Sequence, residues 1–143
     1  MKRKFISFLT LLAILACSLF CFVACGGGTA TAEVVETTDT LVVIRVNETD
    51  GTATLYDVMT DLQEKGELQF EISADKMLKS INGKANPADY SSCWMLYTSD
   101  SEMGNAEWGT YDYNGTNCAS AILGGDALVV SVGAYYVWVY QSF

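Results

Sequence analysis

The run of five apolar residues at positions 93–97 (CWMLY) places the strongest constraint on how this chain folds. Serine residues precede the run, and the polar residues 98–100 follow it. A short apolar run between turn-forming residues is typical of a strand that is buried on both faces. Because side chains alternate along a strand, Trp94 and Leu96 should face one side of the sheet and the other three residues the opposite side. The sequence therefore predicts a sheet with packing on both faces.

The clearest helix in the sequence lies at residues 54–66. Its apolar residues recur at i, i+3, i+4 and i+7, which is the spacing of an amphipathic helix that faces a core. These residues are Leu55, Val58, Met59 and Leu62. Thr54 and Asp57 approximate a capping box, and Gly66 provides a C-terminal stop. The sequence therefore predicts one main helix.

Short strands separated by turn residues account for most of the remaining apolar residues. They are predicted at residues 40–47, 68–72, 111–113, 118–123, 127–132 and 135–140, and residues 77–81 are predicted to form a further short element. Residues 98–110 are predicted to form a polar, irregular loop that carries Trp108. One helix laid across a mixed or antiparallel sheet is an α+β arrangement, and the order of the elements fits a β-grasp-like topology.

The first 24 residues have the organisation of a secretory signal. Residues 2–4 are positively charged, and residues 5–24 carry no charge. The sequence Phe-Val-Ala-Cys at residues 22–25 resembles the lipobox of lipoprotein signal peptides, which implies that Cys25 becomes the first mature residue and carries lipid. An uncleaved membrane span and ordinary signal-peptidase cleavage after Ala32 are alternative interpretations of the same segment.

Residues 25–39 are acidic and rich in Gly, Thr and Ala, so they are predicted to form a lipidated flexible tether for a domain at residues 40–143. All 17 acidic residues follow Cys25, whereas five of the 8 basic residues do, so the mature chain has a net charge of −12. Such a chain repels nucleic acid and anionic lipid headgroups. The lipid anchor is therefore expected to provide the membrane contact, on the extracytoplasmic face of the cell membrane.

Cys93 and Cys118 are the two cysteines of the predicted domain. Outside the cytoplasm two thiols can pair, and a disulfide that closes a loop of this length contributes about 3 kcal/mol in the chain-entropy model. Alternatively, both cysteines stay reduced and pack as small apolar residues. The choice between a disulfide and two free thiols depends on the geometry of the fold.

Several short motifs follow one another in the order and spacing of a known family. They lie at residues 54–59 (TLYDVM), 70–72 (FEI), 81–83 (ING), 94–97 (WMLY), 124–126 (GGD), 129–130 (VV) and 138–140 (WVY). Over residues 50–143 the chain resembles the transcobalamin-like C-terminal domain of Gram-positive surface lipoproteins. More distantly, it resembles the C-terminal β-domain of the cobalamin carriers transcobalamin and intrinsic factor. The resemblance implies a ligand of the cobalamin or corrinoid type.

The leading functional hypothesis is a membrane-anchored extracellular protein that captures a small molecule and passes it to an importer. Tryptophan and tyrosine combine a large apolar surface with a polar tip, which suits flat conjugated ligands. The candidate ligand-binding residues are Trp94, Tyr97, Trp108, Tyr111 and Trp138. Those on strands can equally belong to the core. The alternative function is a non-catalytic protein-interaction or adhesion module that pairs through an exposed strand edge.

Catalysis is the least supported class of function. The sequence contains no histidine, which is the commonest general base and a frequent metal ligand. It also lacks the context of a serine nucleophile elbow and the glycine spacing of a phosphate-binding loop. The sequence therefore predicts a protein that is not an enzyme and has no cofactor and no metal site, with cobalamin as a ligand only.

Overall fold

The computed structural model describes residues 27–143. The predicted signal peptide at residues 1–24 and the predicted lipidation site at Cys25 lie outside the described residues. Within residues 27–143, no helix is both long enough and apolar enough to cross a membrane.

One helix and nine strands make up the described part of the chain. In order, they are β1 (Ala30–Thr37), β2 (Leu41–Thr49), α1 (Leu55–Glu64), β3 (Phe70–Ile72), β4 (Leu78–Ile81), β5 (Lys84–Ala85), β6 (Ser92–Thr98), β7 (Gly104–Tyr113), β8 (Thr116–Ala121) and β9 (Tyr135–Ser142). The fold is a sheet-dominated α+β arrangement with one short helix, as the sequence predicts in outline.

Two antiparallel sheets contain the described strands. The larger sheet has the order β1-β2-β9-β6-β8-β7, and the smaller has the order β3-β4-β5. Strands β6 and β9 pair from Ser92, opposite Ser142, to Thr98, opposite Tyr136. Strand β9 also pairs with β2 on its other side. The aromatic C-terminal strand therefore lies inside the sheet and presents no free edge.

Helix α1 begins and ends as the sequence predicts. The Thr54 hydroxyl accepts a hydrogen bond from the backbone N–H of Asp57 (3.3 Å), and the Asp57 carboxylate accepts one from the backbone N–H of Thr54 (2.8 Å). These reciprocal bonds form the capping box. At the other end, Gly66 has φ +77°, which is the left-handed conformation that commonly follows a helix.

The apolar stripe of α1 is buried against one face of the six-stranded sheet. From the sheet, this core receives Trp94 and Leu96 of β6 and Tyr136 and Trp138 of β9. Tyr97 belongs to a separate core on the opposite face. The predicted alternation of the β6 side chains between two buried faces is therefore confirmed.

The opposite face of the sheet carries a smaller core that is rich in tyrosine. The ring centroids of Tyr97 and Tyr111 are 5.9 Å apart, and those of Tyr113 and Tyr135 are 5.6 Å apart. Burial raises the pKa of Tyr113, and the nearby carboxylate of Glu36 raises it further.

The prediction of a flexible tether at residues 25–39 is wrong for residues 30–37, which form β1. Residues 30–37 form an edge strand that pairs with β2 over most of its length. Half-buried and exposed residues alternate along it, and Ala32 and Val34 pack against the helix-side core. The folded domain therefore begins near Ala30 and not at residue 40.

Strand β7 replaces most of the predicted loop at residues 98–110. It pairs with β8 through a hairpin turn at Asn114 and Gly115, where φ is +48° and +83°. The register is interrupted between Asn105 and Thr110, so the residues between them form an unpaired bulge. Because β7 is an edge strand of an antiparallel sheet, it tolerates polar residues, and the apolar pattern does not reveal it.

The strand predicted at residues 127–132 is also wrong. The backbone–backbone hydrogen bonds that join this segment to a neighbouring element go to residues 53–55, which lead into α1, and they form one isolated bridge between Thr54 and Val129. Leu128 and Val130 are buried. The apolar pattern of this segment therefore reflects packing beside the start of the helix and not membership of a sheet.

The Asp50 carboxylate ties the residue before β1 to the segment that enters α1. It accepts hydrogen bonds from the backbone N–H groups of Thr29 (2.6 Å), Thr52 (2.8 Å) and Ala53 (3.1 Å). The hydroxyls of Thr29 and Thr52 donate to it as well. The bonds from Thr29 and Thr52, that of the Thr29 backbone N–H above all, hold the pKa of Asp50 well below its usual range.

Replacing Asp50 with alanine is expected to lower the melting temperature at pH 7, because five donors lose their acceptor. Folding lowers the pKa of Asp50, so its stabilisation is complete above the unfolded-state pKa of about 3.9 and declines as the pH falls below that value. The difference between Asp50→Ala and the wild type should therefore shrink towards pH 2. Circular dichroism melts measure both effects, with the exposed Asp39→Ala as the control. Equal melting temperatures at pH 7 would contradict the role given to Asp50.

Candidate functional site

Trp94 and Trp138 meet on the helix side of the six-stranded sheet. In the register of β6 and β9, Trp94 lies opposite Tyr140, and Leu96 lies opposite Trp138. The two tryptophans are therefore diagonal neighbours on one face. Both line a pocket of about 350 Å³.

The rim of this pocket is formed by loop residues and is open to solvent. Met77 is 58% exposed, Tyr90 is 62% exposed and Leu123 is 43% exposed. Tyr56 of α1 lines another side of the pocket and is buried. The pocket therefore combines a buried aromatic floor with an exposed apolar rim.

Trp94 is fixed by hydrogen bonds on both its ring and its backbone. Its indole Nε1–H donates to the carbonyl of Lys84 (2.9 Å). Its backbone N–H donates to the side-chain oxygen of Asn86 (2.9 Å), and the Asn86 amide donates to the carbonyl of Leu78 (2.9 Å). Asn86 therefore joins the segment after β5 to both β4 and β6, which fixes one wall of the pocket.

The indole of Trp138 lacks such a partner. The residue is 4% exposed, and within residues 27–143 its Nε1 is the one buried side-chain polar atom without a hydrogen-bond partner. Leaving a buried donor unpaired costs about 1–3 kcal/mol. Native structures keep few such groups, so each one calls for an explanation. Here the unpaired donor belongs to a residue that lines the pocket.

The pocket has an acidic character. Asp75, Asp126 and Lys76 line it, so two carboxylates stand against one ammonium group. A hydrogen bond from the Ser73 hydroxyl lowers the pKa of Asp75, which keeps this carboxylate ionised at neutral pH. Burial, together with the charge of Asp126, raises the pKa of Tyr56 to about 12, so the Tyr56 hydroxyl stays protonated.

The other predicted site residues lie away from this pocket. Tyr97 is 6% exposed on the opposite face, where its hydroxyl donates to Gln141 (3.1 Å) and its ring packs on Tyr111. Both tyrosines therefore belong to the core. Trp108 is 64% exposed and lies in the bulge of the edge strand β7. The five predicted residues thus occupy three separate places, and one of these is the pocket.

Sequence reasoning missed the loop and helix residues that complete the pocket. Tyr90 carried a weak signal, because it is an aromatic residue in a polar turn just after Asn86. It has φ +53°, a left-handed conformation that is uncommon for a large side chain. No local pattern indicates that Met77 and Leu123, which are far apart in the sequence, join Tyr90 at one rim.

Cys93 and Cys118 are free thiols, so the disulfide interpretation is wrong. Strands β6 and β8 pair with Tyr97 opposite Ser120. Continuing this register places Cys118 opposite residue 99, about 20 Å along the strand from Cys93. A disulfide requires Cα atoms within about 7 Å of each other. Burial raises the pKa of both thiols, which keeps them protonated at neutral pH.

Comparisons with known proteins give no match: no family model, no curated protein and no solved structure matches this chain. Within the part of the chain that the structure describes, no three acidic or cysteine side chains lie together as metal ligands do. A function for this protein therefore has to be argued from the pocket and from the sequence.

Gly125→Ala is expected to destabilise the fold and to deform the pocket. A Cβ atom at this position would lie 2.3 Å from the buried ring of Tyr56. Overpacking of this kind costs about 1–3 kcal/mol, and urea unfolding measures it. Gly124→Ala is the matched control, because its Cβ would meet the flexible carboxylate of Asp126 at 3.0 Å. If Gly125→Ala were as stable as the wild type, the Tyr56 ring would not occupy this place.

Proposed function

We propose that this protein is a cell-surface lipoprotein that binds a small molecule in the pocket formed around Trp94, Trp138 and Tyr90. The observation that carries the proposal is a pocket of about 350 Å³ whose floor holds Trp94 and Trp138 and whose apolar rim is open to solvent. Small-molecule sites are concave and mostly apolar, with a few polar groups that orient the ligand. The pocket has this composition, and the proposed role requires no catalytic group.

A corrinoid such as cobalamin or cobinamide is the ligand that we propose. Its support is the resemblance to transcobalamin-like domains, since the motifs at residues 94–97 and 138–140 contribute Trp94 and Trp138 to the pocket. A volume of about 350 Å³ lies near the lower end of the range for ligand pockets, roughly 300–1,000 Å³. The pocket would therefore hold one edge of a ligand of corrin size, and an importer in the same membrane would receive the ligand.

We also propose that the topology is β-grasp-like. The support is the order of the elements, in which the hairpin β1–β2 is followed by α1, then by the smaller sheet β3–β5, and then by the remaining strands of the larger sheet. Contacts between α1 and β1 add to this support, because they place the helix across the sheet that the hairpin begins.

The proposed membrane anchor is lipid on Cys25. Strand β1 begins at Ala30, and an extended chain spans at most about 3.6 Å per residue, so β1 would begin within about 18 Å of the lipidated cysteine. The domain would therefore sit close to the extracytoplasmic face of the membrane. Ordinary cleavage after Ala32 would remove the first residues of β1, which favours cleavage before Cys25.

Mass spectrometry of the mature N-terminus tests the anchor. The expected N-terminal residue is an acylated Cys25, and Cys25→Ser should abolish the lipid mass and release the protein from the membrane fraction. Cys93→Ser is a suitable control, because that cysteine lies within the folded domain. A mature chain that begins with a free amine at Glu33 would contradict the anchor.

Calorimetry with cobinamide and with cobalamin tests the ligand. Tyr90→Ala is expected to weaken binding at least about fivefold, because it removes an aromatic wall of the pocket. Tyr90 is 62% exposed, so this change should leave the fold intact. Trp108→Ala is the matched control, since Trp108 is 64% exposed but lies outside the pocket.

Two results would contradict this assignment. The absence of both heat and tryptophan quenching at millimolar ligand would remove corrinoids as the ligand. Unchanged binding by Tyr90→Ala, together with a loss in Trp108→Ala, would move the site from the pocket to the edge of β7.

Trp108 favours a second candidate function, which is a protein-interaction or adhesion module. Its indole is exposed in the bulge of β7, at an edge of the six-stranded sheet. Exposed strand edges can accept a strand from a partner, and exposed tryptophans often anchor protein interfaces. The Trp108→Ala variant therefore separates the two candidate functions.

A further inference from the structure

A second cavity lies beside the pocket and shares a wall with it. This side cavity has a volume of about 440 Å³, compared with about 350 Å³ for the pocket. Five residues line both cavities: Asp75, Met77, Leu78, Asn86 and Tyr90. Met77 and Tyr90 are exposed, so the shared wall reaches the protein surface. A ligand that leaves the pocket over these two side chains therefore enters the side cavity.

Two short loops carry the shared wall, and hydrogen bonds within each loop hold it in place. In the first loop, the backbone N–H of Ser73 donates to the carbonyl of Met77 (2.8 Å), and the N–H of Met77 donates to the hydroxyl of Ser73 (3.1 Å). In the second, the N–H of Tyr90 donates to the carbonyl of Pro87 (3.1 Å). Exposed side chains change rotamer rapidly, so the top of a wall with a fixed backbone can still adapt to a ligand.

The two cavities differ in chemical character. The pocket has an aromatic floor, which includes Trp94 and Trp138. Polar and charged side chains have a larger share in the side cavity, where Glu71, Ser73 and Lys79 belong to the lining. Ligand sites combine apolar surface with a few polar groups that orient the ligand. A ligand that fits both cavities therefore has an apolar part and a polar part.

The charged groups around the two cavities favour a cation. The carboxylates of Glu71, Asp75 and Asp126 stand against the ammonium groups of Lys76 and Lys79. The described part of the chain has two ion pairs, and neither of them involves these five residues. The net charge of −12 on the mature chain adds a negative field that attracts cations.

Asp75 is the carboxylate that lines both cavities. Its Oδ1 accepts a hydrogen bond from the Ser73 hydroxyl. This bond lowers the pKa of Asp75, so the carboxylate is ionised at neutral pH. A carboxylate has about four acceptor sites, and the bond from Ser73 leaves the others for a ligand. Asp75 therefore places a negative charge where the two cavities meet.

We propose that the ligand extends over both cavities, with a flat apolar group in the pocket and a positively charged group beside Asp75, which is the specificity-determining residue for that charge. The inference rests on the proposed function and deepens it, because it states the extent and the charge of the ligand. Cobinamide in its aquo form is a cationic corrinoid, so it belongs to this class. The class also includes much smaller molecules.

Three probes that share a phenyl group and have chains of similar length test the charge in NMR titrations of the full mature protein. Phenylbutylamine is a cation at neutral pH, phenylbutanol is uncharged and phenylbutyrate is an anion. The cation is expected to bind about two- to fivefold more tightly than the alcohol, as one exposed ion pair predicts, and the anion more weakly than the alcohol. Added salt should reduce the preference for the cation. Equal affinities for the cation and the alcohol would overturn the inference.

Chemical shifts in the same titrations test whether the ligand spans both cavities. Phenylbutylamine should shift the backbone N–H signals of Leu123 and Gly125, which line the pocket but not the side cavity. It should also shift those of Lys79 and Ala88, which line the side cavity but not the pocket. Toluene, which has no charged arm, should shift the first pair only. Shifts by phenylbutylamine in one pair alone would overturn the extended binding mode.

Asp75→Asn tests the charge at the shared wall. The ratio of the phenylbutylamine and phenylbutanol affinities should fall about two- to fivefold, while the affinity for the alcohol stays the same. Asparagine keeps an oxygen that can accept the bond from Ser73, so the loop should persist. An unchanged ratio would overturn the role of Asp75.

Asp89→Asn is the matched control. The carboxylate of Asp89 also accepts a hydrogen bond from a serine hydroxyl, that of Ser91 (2.9 Å), but Asp89 lines neither cavity. This variant should keep the ratio of the wild type. An equal fall in both variants would indicate a general effect of net charge and would overturn the role of Asp75.

Cobinamide separates this inference from the proposed function. Binding of cobinamide that depends on Tyr90, together with probe shifts confined to the pocket, would contradict the extended binding mode alone. The absence of binding by cobinamide and by all three phenyl probes would contradict the proposed function as well.

Discussion

The pairing of β6 with β9 is the interaction on which the rest of this structure depends. The two strands lie in the middle of the six-stranded sheet, and each of them has a further strand on its other side. Their register places Trp94 and Trp138 on the helix side and Tyr97 and Val137 on the opposite side. A slip of one residue in either strand would turn that strand's buried residues to the wrong face. The register of β6 and β9 therefore determines both the fold and the position of the proposed site.

The central strands and the helix could be predicted because their sequences carry local signals. Residues 93–97 and 135–140 are apolar on both faces, and residues 54–66 have a helical period with its caps. The edge strands β1 and β7 carry weaker signals, since one side faces water and polar residues are tolerated there. Residues 127–132 have the apolar pattern of a strand, but a pattern does not identify the packing partner, which here is the entry to α1.

The candidate site could be predicted only in part, because strand register and loop position decide which aromatic residues come together. Trp94 and Trp138 share a pocket because adjacent strands bring them to one face, whereas the position of Tyr97, three residues after Trp94, sends it to the other face. Tyr90 joins the pocket through a loop that hydrogen bonds from Asn86 to Leu78 and from Trp94 to Asn86 hold in place. Register and loop position are non-local, so a set of aromatic residues does not define a site before the fold is known.

A crystal structure of the protein with bound cobinamide tests the central claim, the small-molecule site at Trp94 and Trp138, most directly. The predicted result is a ligand whose edge enters the pocket and contacts Tyr90 at the rim and Trp94 on the floor. Trp94 should keep its hydrogen bond to Lys84 in this complex. A ligand seated at Trp108 on the edge of β7, with the pocket unchanged from the free protein, would contradict the claim.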